Sequence, residues 1–166
     1  MPFGIYDACA PVLVRGLSNL SSNLAKAEAS GVPEAELIAG RLAPDMRPLP
    51  FQVQTASDSA KGAVARLAGV DVPSMADTEI TLAELRDRCA RTIAFIEGVD
   101  RAAFDGAEDR EIVLPMPGGE LRLPGGLFLT GFALPNVFFH LTTAYAILRH
   151  KGVPLGKMDF LGGPPS

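Results

Sequence analysis

Leu134-Pro-Asn136-Val-Phe-Phe-His140-Leu-Thr-Thr-Ala-Tyr145-Ala-Ile-Leu-Arg-His150-Lys-Gly152 is the stretch whose reading decides the fold. Its apolar residues recur at helical spacing, and it carries one of the chain's two histidines. Asn136 and His140 lie four residues apart, one above the other on the same helix face. A helix presents two metal ligands at that spacing, but here the first position holds a carboxamide. The pattern predicts a helix from about Gly126 to Lys151, with Pro135 bending it or marking its true start, because proline donates no ladder bond. Arg149, His150 and Lys151 suit the negative end of the helix dipole, and Gly152 and Pro154 stop the helix.

Working outward, Ile5, Cys9, Val12, Leu13, Leu17, Leu20 and Leu24 repeat at spacings of three and four. They predict a first long helix from Ile5 to Ala29, ended at Ser30-Gly31. Pro33 to Ala39 reads as a short connecting helix, and Leu42 to Pro50 as a proline-rich loop. A second long helix runs from Pro50 to Ala68 with a thin stripe of Val53, Ala56, Ala60, Ala63, Val64 and Leu67. A third opens with the capping box Thr81-Leu-Ala-Glu84, with Ile80 and Leu85 as its hydrophobic staple, and continues through Cys89, Ile93, Ile96 and Val99. Arg88 and Arg91 are expected to point away from the face that holds Cys89. Between this helix and the last, Arg110 to Leu114 and Glu120 to Leu123 alternate around Gly118-Gly119 and read as a small hairpin. Lys157 to Leu161 should pack back onto the helices. The fold class is therefore all-α, a four-helix bundle with one hairpin before the last helix, in a single domain over residues 1–166.

Composition narrows the function classes. An apolar share of 48% against 20% charged residues describes a chain with a real core. A net charge of −4 and the absence of a basic run argue against nucleic acid as a partner. Mean hydropathy is positive at +0.22, yet the longest apolar run, Leu127 to Leu148, is interrupted by Pro135, Asn136, His140 and threonines. No membrane partner is expected, and with no secretion signal apparent a cytoplasmic location is the expectation. The lone cysteines Cys9 and Cys89 should be buried free thiols. No Ser-His-Asp arrangement, phosphate loop, nucleotide fingerprint or calcium loop is present.

The candidate pocket residues are His140, Asn136, Gln52, Gln54, Asp58 and Tyr145. His140 reads as a buried histidine satisfied by a carboxamide or hydroxyl. Asn136, just after a proline, should bond backbone groups that the proline leaves free. Gln52 and Gln54 lie on different sides of their helix, so at least one faces solvent. Tyr145 reads as a core aromatic, and His150 as a helix-end surface residue.

Leu134-Pro-Asn136-Val-Phe-Phe-His140, Ala144 through Val153 and Gly156-Lys-Met-Asp-Phe-Leu161 resemble the bacterial DUF1993 family. So do Leu42-Ala-Pro-Asp-Met46, Gln52-Val-Gln54 and Asp58, so the resemblance covers essentially the whole chain. That family looks like a branch of the DinB/YfiT-like metalloenzyme superfamily. The resemblance implies a four-helix bundle, often dimeric, whose relatives hold a divalent metal with one histidine from the second helix and an HxxxH pair from the fourth. Carried over, His140 falls on the second histidine of that pair and Asn136 on the first. Gln52 or Gln54 stands in the region of the helix 2 ligand. Neutral carboxamide oxygens are poor ligands for zinc-class ions, so neither a metal nor another cofactor is expected.

Three functions follow as expectations. The first is a metal-free bundle that binds a small molecule or acts as a structural dimer. The second is a metal-dependent transferase or hydrolase with a non-standard site, and the third a partner-binding adaptor. High hydropathy in so small a chain predicts a homodimer.

Overall fold

The structure, a computed structural model, describes residues 3–163, so residues 1–2 and 164–166 of the expected 1–166 domain lie outside the described residues. It is mostly helical, with one two-stranded antiparallel hairpin. Its elements are α1 (Ile5–Glu28), α2 (Glu34–Ile38), α3 (Leu49–Ala68), α4 (Leu82–Glu97), a 3-10 turn (Arg101–Phe104), β1 (Glu111–Met116), β2 (Gly119–Pro124), α5 (Gly125–Phe128), a π turn (Leu129–Ala133), α6 (Leu134–His150) and α7 (Lys157–Leu161).

The periodic stripes become the core. Cys9, Leu13, Leu17, Leu20 and Leu24 of α1 are all buried. The alanines 56, 60 and 63 of α3 are buried too, and their small side chains let neighbouring helices approach closely. α1 packs on α4 and α6, while α3 packs on α6 and α4 and touches α1. α3 ends where Gly69 adopts a left-handed conformation at φ +70°, which relieves the carbonyl end of the helix. The capping box is formed: Glu84 N–H donates to Thr81 Oγ1 at 3.2 Å, and Thr81 N–H to Glu84 Oε2 at 3.0 Å. Its staple is not, because Ile80 stays 73% exposed while Leu85 is buried.

In the hairpin Ile112 pairs with Leu123 and Leu114 with Leu121. Ile112 and Leu114 point into the core while their neighbours face out, as a strand's two-residue period requires. Both strands are longer than the sequence pattern suggests. The chain then turns into α5 at Gly125, where a β-carbon would lie 1.9 Å from the Ala107 carbonyl oxygen. Only a glycine allows that approach.

Pro135 lies in the first turn of α6, yet it does not end the helical backbone before it. Helical backbone runs from Gly125 to His150, and the five-residue π turn immediately before Leu134 widens the coil. A proline has no amide to offer the carbonyl four residues earlier, and a widened turn accommodates the lost bond without ending the helix. By length and composition this 26-residue run could cross a membrane, a description that a buried core helix also meets. Of its most apolar window, 44% is buried inside the protein. α7 returns to α1: Arg15 donates to the Leu161 carbonyl, Asn19 to that of Phe160, and Lys26 pairs with Asp159.

Candidate functional site

The apolar faces of α3 and α6 close against each other, and two polar bridges cross between them. In the first, His140 and Gln52 meet with Nδ1 2.8 Å from Oε1. Gln52 Nε2 donates to the Arg47 carbonyl at 2.9 Å, which fixes which end of the carboxamide faces the ring. A carbonyl oxygen only accepts, so Nδ1 carries a proton, and in the neutral ring Nε2 holds the lone pair. His140 is 8% exposed, and burial pushes its pKa below the usual 6.5. Phe139 and Phe51 stand edge-on to the ring at 5.1 and 6.0 Å. Nε2 has no hydrogen-bond partner among the described residues, and it is not one of the atoms fully shut off from solvent. The ring is therefore oriented, disfavoured in its charged form by burial, and not completely sealed at Nε2.

In the second bridge, Asn136 Nδ2 donates to Ser59 Oγ at 2.8 Å. Asn136 thus spends its amide across the helix pair, and not on backbone groups near Pro135 as expected. Although Asn136 and His140 share a face of α6, they take partners seven residues apart on α3. They do not converge on a common point.

The remaining candidates divide between other clusters. Gln54 is half-buried, and its Nε2 donates to Glu79 Oε2 at 3.0 Å. Asp58 accepts from Arg88 Nη2 at 2.8 Å and pairs with Lys61. Tyr145 is half-buried with its ring edge-on to Phe160 of α7, at 5.9 Å, and belongs to the packing of the tail.

The sequence reading missed Arg88. Its side chain is fully buried and organises the largest polar network in the protein. Nη1 lies 3.0 Å from Glu79 Oε1, Asp77 Oδ1 and the Ala76 carbonyl, Nη2 reaches Asp58, and Nε donates to Ser57 Oγ at 3.2 Å. Ser57 in turn lies 2.7 Å from Thr92 Oγ1. Burial works against charge on Arg88, but Glu79 and Asp58 overcome it and hold the pKa above its ordinary value. Burial likewise works to raise the Glu79 carboxyl, and the Gln54 amide together with Arg88 brings it net below the usual range. The signal was present in the spacing: Leu85, Arg88, Thr92 and Ile96 form one stripe of α4 at steps of three and four.

Beside the second bridge, between α3, the hairpin and the π turn, lies a cavity of about 270 Å³. Asp58, Ser59, Arg66 and Asn136 supply its polar wall; Met116 and Phe132 are among its apolar lining. π turns of this kind recur next to binding sites.

Residues 5–161 match the DUF1993 family, described as a domain of unknown function. The chain belongs to the DUF1993 family. The crystal structure of a DinB family member protein from Shewanella denitrificans is similar, with a TM-score of 0.90 and 42% sequence identity. The match covers 98% of this chain and 94% of that one. No curated protein matches the sequence.

Within a DinB-like fold the question is whether this DUF1993 chain could hold a divalent metal. Among the described residues no three His, Cys, Asp or Glu side chains are grouped to do so. At the positions that the resemblance makes ligands, one imidazole remains, and its Nδ1 is engaged by a carboxamide. One nitrogen and neutral oxygens do not fit a zinc-class ion.

Proposed function

We propose that this DUF1993 protein is a DinB-like four-helix bundle of α1, α3, α4 and α6 that binds a small molecule without a metal ion. The Gln52–His140 bond carries the reading. Where a metalloprotein would gather imidazoles around an ion, this chain closes a carboxamide onto the imidazole of His140 and fixes the carboxamide from the Arg47 carbonyl. The nearby cavity at Asn136 has one polar and one apolar wall, which suits a molecule with one polar end.

Elemental analysis of protein purified without a histidine tag tests the metal half. We expect no stoichiometric divalent ion, and a tightly bound equivalent would favour a metal-dependent transferase or hydrolase instead. The ligand half uses the absence of tryptophan in the chain. Phe132→Trp places a single tryptophan, excited apart from the two tyrosines, in the cavity lining, and a panel of small molecules with one polar end should contain members that shift its emission saturably. If none does, and none protects the parent protein against heat, the binding reading is wrong.

We also propose that the protein is a homodimer. Leu127, Gly131, Phe132, Pro135 and Phe139 form an exposed apolar stripe along α5, the π turn and α6, with Phe139 56% exposed. A stripe of that kind is a surface that a second copy would cover. If light scattering shows a monomer, the stripe becomes the docking face of an adaptor.

A further inference from the structure

Arg15, Arg86, Arg88 and Arg110 are buried or half-buried, and each donates to a carboxylate or a main-chain carbonyl. Arg66 is half-buried too, yet among the described residues nothing accepts from its guanidinium. It stands in the last turn of α3, where an arginine ordinarily serves the carbonyl end of the helix. Here it folds the other way. A β-carbon built on Gly62, one turn back, would lie 2.5 Å from Arg66 Nη1 and 3.7 Å from Cζ, and would meet nothing else beyond its own turn of helix. Glycine inside a helix costs stability relative to alanine, and this one leaves the hollow that the guanidinium occupies.

That hollow belongs to the cavity of about 270 Å³ beside Asn136. Asp58, Ser59 and Arg66 form its α3 wall, and a guanidinium seated over Gly62 lies between Ser59 and the Arg66 backbone along that wall. Ser59 Oγ accepts from Asn136, and its own proton has no acceptor among the described residues. Asp58 is engaged already, by Arg88 and Lys61. The wall therefore offers two donors, one of them charged, with nothing in the protein to receive them.

We propose that the ligand of this cavity is a monocarboxylate, its head paired with Arg66 and Ser59 and its apolar body set against Met116, Phe128 and Phe132. This rests on the binding reading above and adds the class of the ligand. A guanidinium matches a carboxylate with two parallel N–H···O bonds. An ammonium head would meet Arg66 as a like charge. A phosphate monoester shares the anionic head but brings nearly two charges, and Asp58 on the same wall opposes the second. Size sets the body: a cavity of about 150 Å³ already takes benzene, so this one admits a ring on a short acid chain.

Calorimetry on the full chain with 3-phenylpropanoate, its amide and phenyl phosphate tests the idea. We expect the acid to bind saturably, and the amide and the phosphate at least about tenfold more weakly. Arg66→Gln should weaken the acid about tenfold or more and leave the amide unchanged, so the preference disappears. A residue that serves only the fold would weaken both alike. Gly62→Ala keeps the arginine but pushes its guanidinium out of the hollow, and it should narrow the preference as well; it decides the matter if Arg66→Gln does not fold. The proposal is overturned if acid and amide bind alike, if the phosphate binds more tightly than the acid, or if a folded Arg66→Gln keeps the preference. Each of those results leaves a cavity that binds small molecules. It is also overturned if the acid fails to saturate while another member of the wider panel does. Failure of every probe removes the binding reading itself, and this inference with it.

Discussion

His140 and Gln52 meet at 2.8 Å, and that one bond sets the protonation pattern of the imidazole. Arg47 lends its carbonyl to Gln52 Nε2, so Oε1 must face His140 and Nδ1 must hold the proton. A loop carbonyl thereby decides which ring nitrogen is basic. Both side chains are buried, so each is the other's answer to desolvation.

Removing either partner should therefore cost more than removing both. His140→Ala leaves Gln52 Oε1 without its donor and should destabilise the protein by about 1–3 kcal/mol. Gln52→Leu should cost a similar amount, because it strands Nδ1. The double variant should lose less stability than the sum of the two single losses, a coupling measurable by urea unfolding. Strict additivity would show that the bond contributes nothing in solution.

Stability should also fall on mild acidification. Burial lowers the His140 pKa below 6.5, so between the two values the unfolded chain binds more protons than the folded one. His140 thus contributes stability that is present above about pH 6.5 and lost as pH falls toward its folded value. Melting curves between about pH 7.5 and 5 should show Tm declining, with the decline reduced in His140→Gln. The Glu79 carboxyl, held net below its ordinary 4.5, loses its contribution only at lower pH, so the two effects separate.

The outline of the fold was legible because each long helix carries a stripe at steps of three and four, and because Thr81 and Glu84 form a cap visible in four letters. The hairpin announced itself by a change of period around Gly118. Pro135 marked where regular α-helix begins, at Leu134, but a proline alone does not say that the coil before it widens into a π turn instead of ending. The inward position of His140 was legible, but which glutamine it would meet was not: Gln52 and Gln54 differ only in the rotation of α3. Arg88 was hidden by the habit of reading arginine as solvated. Its stripe position pointed inward, but the carboxylates that make burial tolerable arrive from a loop, at Asp77 and Glu79, and from another helix, at Asp58.

Arg88→Met should be among the most damaging single substitutions in the protein. It would leave Glu79, whose side chain is 4% exposed, with only the half-exposed Arg91 as a cation, at 3.7 Å. Breaking such a pair from one side costs about 3–5 kcal/mol. Adding Glu79→Gln to Arg88→Met should recover part of the loss, which chemical denaturation would measure. A loss under about 1 kcal/mol for the single variant would place the network in solvent.

The two thiols should be inert in the native protein. Cys9 and Cys89 are fully buried, and burial pushes both pKa values up to about 12, an effect that the nearby Arg88 offsets only in part at Cys89. The thiolate is the reactive form and is scarce at neutral pH. Ellman's reagent should therefore detect no fast-reacting thiol in native protein and two in denaturant. One fast thiol in the folded state would mean that α1 or α4 opens readily.

The apolar stripe on the last helix supports a prediction about assembly. Leu127 is 55% and Phe139 56% exposed, and with Phe132 and Pro135 they face outward along a single side of a helical run. Water penalises that exposure in proportion to its area, and a second copy seated on the stripe removes it. Light scattering at tens of micromolar, above the dissociation constants of stable dimers, should give the mass of two chains. Phe139→Asp places a charge in the middle of the stripe and should yield a monomer whose helical content is unchanged, since Phe139 contributes little to the core. If the parent is a monomer at that concentration, or the variant remains a dimer, this face is not the one that joins two copies.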